Sequence, residues 1–464
     1  MKYTTDEILG KLPVSKAIVR LALPTIMAMI IMAVYNFVDT LFIGFLASDE
    51  ALSAVSVAFP IVTLMSAVGQ ILGAGSGAVI GRAFGSSNNE LANKTATTII
   101  YTAFASAIIF MCVGLIFSEP IFKIFGATDR IMPYAKQYGT WMFVGALFTI
   151  PNQVFNNIAR AETKSILSMT ALMTGAILNV ILDPIFMFKF NIGSFSFGLG
   201  LGIVGASLAT TLSQCVSFIF ISQFFFRGKS KVQVKFKNFK PSKEIYSLTL
   251  KSGAPVGVTQ LLSAFAVSVT NIVAVKVAPD AITGDNIIAS YGIVLKILSI
   301  TQFILIGFFQ GYQPIASYSY GSKSKERFFL AYKYARTAGF VYAIIATLTI
   351  QIFASNYIRM FSSNEDIIYY GSMFLRLNNL FFPLTSYVFL IILTSQATGN
   401  GKLGATMSLA RQGVLYVPAL IIFPQIFSYI GIFYAQATAD LITWIIAITM
   451  FSRYKKTLEE YLIN

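Results

Sequence analysis

Leu178-Asn179-Val180-Ile181-Leu182-Asp183-Pro184 sets an amide and a carboxylate four residues apart, on one face of a helix. The surrounding segment, approximately 165–189, is apolar enough to cross a bilayer. A second carboxylate, Asp39, lies in the first apolar segment of the chain. A charged side chain at the centre of a bilayer costs roughly 2.5–3.5 kcal/mol on insertion scales. Each carboxylate therefore needs a partner: water, a cation, a proton or another polar group. Together they read as an oxygen-lined cation or proton site inside a membrane transporter, with a hydrogen-bonded structural role as the alternative.

Composition places these groups in a membrane. The 464 residues are 56% hydrophobic and only 11% charged, and the mean hydropathy is +0.72. A soluble chain carries about a quarter charged residues. Twelve apolar segments follow one another, at approximately 14–45, 52–81, 95–118, 138–160, 165–189, 200–226, 246–276, 287–318, 328–354, 371–398, 404–424 and 429–452. The expected fold class is an all-α integral membrane protein. The first segment is too long for a signal-peptide core and is expected to stay as the first span.

Histidine is absent, which removes the usual general base and the usual zinc or haem ligand. Cys112 and Cys215 both sit in apolar segments and offer no disulfide framework. The net charge of +15 would suggest nucleic acid in a soluble protein. Here it is a topology signal, and no nucleic-acid partner is expected. Lys and Arg concentrate in alternate loops, which places both termini in the cytoplasm. Arg160 and Arg411 are counted among these cytoplasmic cations.

The basic run from Arg227 to Lys243 divides six segments from six. The expected organisation is an N-terminal six-helix lobe over 1–226, a basic cytoplasmic linker over 227–245, and a C-terminal six-helix lobe over 246–464. The linker reads as a stretch lying on the anionic inner leaflet. The halves repeat. Gly75 to Glu90 aligns with Gly311 to Glu326, Pro24 with Pro255, and Gly202 to Thr210 with Gly431 to Ala439. A parallel repeat of this kind is the pattern of transporters with two rocking lobes. Gly73, Gly77, Gly81 and Gly85 recur every four residues and read as a close-packing helix face. Prolines within segments, such as Pro60, Pro151, Pro314, Pro383 and Pro418, mark expected kinks.

Three acids remain within apolar segments: Asp39, Asp183 and Asp440. Asn179 supplies an amide on the face of Asp183, and Thr210 in the next segment supplies a hydroxyl. Na⁺ is a hard cation and takes carboxylate, amide and hydroxyl oxygen, by analogy with other hard cations. No Lys or Arg is expected inside the spans of the N-terminal half. Asp440 and Lys296 are the buried charges of the C-terminal half, expected to pair with each other or to face a water-filled cavity. Tyr35, Asn152, Asn156 and Asn157 are candidates to line a substrate cavity.

The residues resemble the multidrug and toxic compound extrusion (MATE) transporters, most closely the bacterial branch of staphylococcal-type drug exporters. The resemblance rests on Tyr35 to Gly44, Gly73 to Gly85, Ala159 to Lys164, Asn179 to Pro184, Gly205 to Thr210 and Gln396 to Asn400. It implies two pseudo-symmetric six-helix bundles of twelve transmembrane helices. It also implies export of amphipathic, often cationic drugs by cation antiport and alternating access. It places the coupling ligands at Asp39, Asn179, Asp183 and Thr210, as a Na⁺ site if the ion is sodium, and drug contacts near Tyr35, Asn152, Asn156 and Asn157. Members with an acidic C-lobe site carry a Glu in span 7 and an Asp in span 10; this chain has neither. No cofactor and no catalytic residue is expected, and the coupling ion is Na⁺ or H⁺. The expected setting is the bacterial plasma membrane, with a monomer working in the lipid bilayer. A lipid-linked oligosaccharide flippase of the same superfamily is the main rival reading, followed by a channel and an intramembrane enzyme.

Overall fold

A computed structural model describes residues 3–46, 49–192 and 195–463. It is 88% helix. The long helices are α1 (Val14–Gly44), α2 (Asp49–Gly85), α3 (Asn89–Ile116), α5 (Met132–Ala161), α6 (Ser165–Met187), α7 (Ile203–Phe226), α8 (Lys243–Val277), α9 (Ala281–Gly321), α10 (Lys325–Arg359) and α15 (Gly431–Ile463), with α4 (Ser118–Ile124) between α3 and α5. Helices α11 (Glu365–Asn379) and α12 (Phe382–Thr398) form one pass bent by 51°. Helix α13 (Gly401–Ser408), a π-helical stretch (Leu409–Leu415) and α14 (Tyr416–Phe427) form another.

Among the described residues, nine helical stretches are long and apolar enough to span a membrane, and the bent pair makes ten. One of the nine, residues 401–463, holds two passes that part at Ser428–Ile430. Helix α5 is the remaining pass; Asn152, Gln153, Asn156, Asn157 and Arg160 make it too polar to qualify by composition. The twelve expected segments are thus all helical. Large apolar side chains lie exposed along them, as at Ile109, Ile181, Ile272 and Ile345. An apolar surface this extensive is a surface for lipid.

Between α6 and α7 the chain forms a short antiparallel hairpin of β1 (Phe190–Ile192) and β2 (Phe195–Phe197). Its aromatic alternation is a strand pattern too short to stand out beside helical spans.

Packing divides the chain into two compact units. One, the N unit, holds residues 27–83 and 88–253; the other, the C unit, holds 1–26, 84–87 and 254–464. In the N unit, α5 packs between α3 and α7, and α6 lies along α7. In the C unit, one buried cluster joins residues 8–21 to α9, α10, α12 and α15, and a second joins α8 and α9 to α11, α14 and α15. Helices α1 and α8 each change unit, after Ile26 and Gly253, close to their internal prolines Pro24 and Pro255.

The aligned glycines Gly75 and Gly311 do equivalent work. Within the N unit, a Cβ on Gly75 would collide with the Thr249 carbonyl at the start of α8. Within the C unit, a Cβ on Gly311 would collide with the backbone at Ala22 in α1. Small residues allow helix backbones this approach. The glycine face of α2 also meets α5: a Cβ on Gly73 would lie 2.6 Å from Asn157 Nδ2.

The basic segment between α7 and α8 is tied to the N unit. Glu162, fully buried at the end of α5, accepts from Ser230 Oγ (2.6 Å), Lys231 N (3.0 Å) and Val232 N (2.9 Å). Gln233 N donates to Asn93 Oδ1 and Lys240 N to Thr98 Oγ1. Phe236 and Phe239 pack on Tyr101.

Candidate functional site

Four helices of the N unit build the site. Helix α1 brings Tyr35 and Asp39; α6 brings Asn179 and Asp183; α7 brings Thr210; α5 brings Asn152, Asn156 and Asn157. Gly175 lets α6 close on α7, since a Cβ there would sit 3.0 Å from Ser217 Cβ. That approach sets Asn179 against Thr210.

Asp183 is fully buried and Asn179 nearly so. Asn179 Nδ2 donates to Asp183 Oδ1 at 3.2 Å and to Thr210 Oγ1 at 3.3 Å. The Asp39 carboxyl lies within hydrogen-bonding reach of the Asp183 carboxyl, and the Tyr35 hydroxyl within reach of Thr210. Two acceptors, Asn179 Oδ1 and Asp183 Oδ2, are buried without a donor. The structure therefore brings together all four residues that the sequence pointed to on α1, α6 and α7. The unmet valence is all on oxygen, which suits a cation or a proton. Tyr138 on α5, which sequence reasoning missed, is buried within electrostatic reach of both carboxyl groups.

A cavity of about 30 Å³ adjoins this cluster. It is lined on α6 by Leu172, Gly175, Ala176 and Asn179, on α7 by Thr210, Ser213, Gln214 and Ser217, and on α1 by Met32 and Tyr35. Both the α6 and α7 sets follow the i, i+3, i+4, i+7 spacing of one helix face. That spacing from Thr210 was the available signal for Ser213, Gln214 and Ser217.

The α5 amides sit differently. Asn152 is buried and donates to Gln214 Oε1 (3.1 Å) and Ser217 Oγ (3.0 Å), behind the cavity wall. Asn156 is buried in bonds to Asn152 and Ser168. Asn157 bonds Gln70 and the Gln153 carbonyl, and accepts from Arg160. Tyr35 lines the cavity; none of the three amides does.

Two expectations about charge need correcting. Arg160 is only 6% exposed, inside the N unit, where no basic residue was expected within a span. It donates to Ser168 Oγ (3.1 Å) and Asn157 Oδ1 (2.8 Å). Arg411 is likewise buried rather than facing the cytoplasm. It lies in the π-helical stretch and pairs with Asp440 at 2.7 Å, and Gln436 Nε2 donates to the same carboxylate oxygen at 2.8 Å. A long basic side chain can turn inward when polar acceptors wait there, as Ser168 and Asn157 do for Arg160 and Asp440 does for Arg411, and hydropathy does not report the direction.

Comparison with known proteins agrees with this layout. The family model described as MatE matches residues 24–185 and 255–422. The multidrug export protein MepA of Staphylococcus aureus (strain MRSA252) is 29% identical over 432 residues, covering 93% of this chain and 92% of MepA. A crystal structure described as MATE in complex with MaL6 superposes with a TM-score of 0.91 at 25% identity, covering 99% of this chain and 100% of that one. A transporter of the MOP superfamily from Pyrococcus furiosus, described as having a binding pocket of reverse polarity that suggests a different function, superposes with a TM-score of 0.86 at 26% identity, covering 98% of this chain and 99% of that one. With two copies of the family pattern spanning most of its length, each carrying one half of the repeat, this chain belongs to the MatE family of membrane transporters.

Proposed function

We propose that this protein exports amphipathic, often cationic compounds from the cytoplasm by alternating access, driven by inward movement of Na⁺ or H⁺. The observation that carries the reading is that Asp39 and Asp183 lie within reach of each other, beside buried acceptor oxygens that no donor satisfies. Two neighbouring carboxyl groups, one fully buried and one half-buried, are eased by a cation or a proton between them. Thr210 and Asn179 complete a set of oxygen donors suited to Na⁺. The export function named for MepA supports the substrate class. The expected moving bodies are the N unit (27–83 and 88–253) and the C unit (1–26, 84–87 and 254–464), with both termini in the cytoplasm of a bacterial cell and the monomer as the working form.

In this cycle the inward-facing state takes up substrate. The coupling cation then binds at Asp39 and Asp183 in the outward-facing state and favours release. It acts only through a difference in its affinity for the two states. One charge moved across 100 mV supplies about 2.3 kcal/mol, before any concentration gradient.

The test uses the purified protein in liposomes containing ethidium, with Na⁺ and pH gradients imposed separately. Wild type should move ethidium under one of them, and Asp183→Asn should lose that dependence. Equal transport by the variant would remove the carboxylates from coupling. No transport under either gradient would turn the reading to lipid-linked oligosaccharides.

A further inference from the structure

The segment between α7 and α8 runs along the opening turns of α3. Gln233 N donates to Asn93 Oδ1 at 2.7 Å and Lys240 N to Thr98 Oγ1 at 3.1 Å, while Asn238 Nδ2 donates back to the Gln233 carbonyl at 2.8 Å. Between these ties the chain makes a single 3-10 turn, Phe236–Asn238. The turn stacks Phe236 on Phe239, with ring centroids 6.0 Å apart, and sets them 6.0 and 5.4 Å from the Tyr101 ring. Phe236 is nevertheless 75% exposed. A lone exposed ring would mean little, but this one belongs to a patch.

Tyr101 begins the outer face of α3. Ala105, Ile108, Ile109, Cys112 and Ile116 follow it at helical spacing, and all are exposed. At 1.5 Å per residue that stripe runs roughly 22 Å, most of the hydrocarbon core of about 30 Å. Before Tyr101 the same helix turns polar, with Asn93, Lys94, Thr97 and Thr98. The three rings therefore sit where the lipid face ends, the level that aromatic side chains take at a bilayer surface.

Charge agrees with that level. Arg227 to Lys243 contains no acidic residue. Lys235 and Lys237 flank Phe236, both exposed, and neither is in an ion pair among the described residues. Two acids beside the segment are already engaged: Glu162 by Ser230, Lys231 and Val232, and Glu90 by Lys94, with Lys240 in electrostatic reach. A soluble acidic partner would meet the lysines but gain nothing from rings continuous with a lipid-facing helix. A zwitterionic lipid would take the rings and leave the lysines unanswered. An anionic lipid answers both.

We propose that Lys235, Phe236, Lys237 and Phe239, backed by Tyr101, form a binding site on the N unit for an anionic phospholipid of the inner leaflet. The rings meet the upper acyl chains and the two ammonium groups hold the phosphate. The charge pattern alone expects a linker resting on the leaflet; here the segment is fastened to α3 and α5, so the N unit itself grips the lipid. The inner leaflet follows from the positive-inside pattern, and the site is independent of which ion drives transport.

The experiment puts a tryptophan at 236 (Phe236→Trp) in a Trp141→Phe/Trp444→Phe background, which removes the native tryptophans. The full chain is placed in phosphatidylcholine nanodiscs doped with dibrominated phosphatidylglycerol or dibrominated phosphatidylcholine. Both lipids should quench the fluorescence, and aqueous acrylamide should do so only weakly. Phosphatidylglycerol should reach half-quenching at about tenfold lower mole fraction, the order expected of two lysines at an anionic surface. Adding Lys235→Gln/Lys237→Gln should abolish that preference and keep the quenching by phosphatidylcholine. Quenching by acrylamide and by neither lipid overturns the proposal and gives the face to a soluble partner. Equal quenching by the two lipids, or a preference that survives the double Gln variant, overturns it as well. Phe239→Trp carries the same measurement should Phe236→Trp fail to fold.

Discussion

Asn179 Nδ2 lies 3.2 Å from Asp183 Oδ1, one turn along α6, while Asn179 Oδ1 and Asp183 Oδ2 receive no donor. The amide thus steadies the carboxylate with one end and leaves an acceptor free with the other. Asn179→Leu removes both contributions and should lower gradient-driven export about tenfold or more. Asn179→Asp keeps an acceptor but adds a third carboxyl, and should shift the driving cation concentration rather than abolish transport. Initial rates against graded Na⁺ and pH gradients distinguish the two variants.

The Arg411–Asp440 pair sets a different expectation. Both groups are buried, so losing one partner strands a charge. Asp440→Asn and Arg411→Met should each cost about 3–5 kcal/mol, whereas the double variant Arg411→Met/Asp440→Leu should recover most of it. Thermal unfolding in detergent measures the cycle. Recovery of stability together with retained transport would mark the pair as structural.

Glu162 supplies a pH dependence outside the membrane. Burial pushes its carboxyl above the ordinary value of 4.5, against the pull of Ser230, Val232 and Lys231. Between 4.5 and that higher value the folded protein holds a proton that the unfolded chain has lost. The associated stability is fully present below 4.5 and disappears as pH rises through the folded value, by at most about 1.4 kcal/mol per pH unit. Melting temperatures across mildly acidic pH should show this slope in wild type and lose it in Glu162→Gln.

Arg327 fixes the N-terminal segment within the C unit by donating to the carbonyls of Ile8 (3.2 Å), Leu9 (2.6 Å) and Leu12 (2.8 Å). Lysine has the charge but not the fork that reaches three carbonyls. Arg327→Lys should therefore expose the first dozen residues to limited proteolysis several-fold faster than wild type, with little loss elsewhere.

The spans, their repeat and the acidic cluster were legible in the sequence because each is written in local pattern. Apolar length marks a span, and a carboxylate within one stands out as a cost in need of a partner. Asn179 and Asp183 fall on one helix face by spacing alone. Arg160 and Arg411 were misread because hydropathy does not show which way a basic side chain turns; Arg160 at the end of α5 turns in to Ser168 and Asn157, and Arg411 in mid-pass meets Asp440 on α15. Gln214 lay on a readable face, but nothing local says what its amide meets; its oxygen accepts from Asn152 on α5, far away in sequence. The seating of residues 230–240 depends on Glu162, Asn93 and Thr98, which are distant in sequence. Packing also gives the first turns of α1 and α8 to units other than those of their later turns, which hydropathy does not register.

That last arrangement has a consequence for synthesis. The N unit gains the Thr249 carbonyl, against which Gly75 packs, only when the ribosome has passed the six-span midpoint. The opening turns of α1 wait longer, because Ala22 and Ile26 pack on Gly311 and Gly307, near residue 310. The opening turns of the earliest helix are thus seated only once α9 has been made. A polypeptide halted at residue 226 would insert in the bilayer with one face of α2 uncovered, a ready target for quality-control proteolysis.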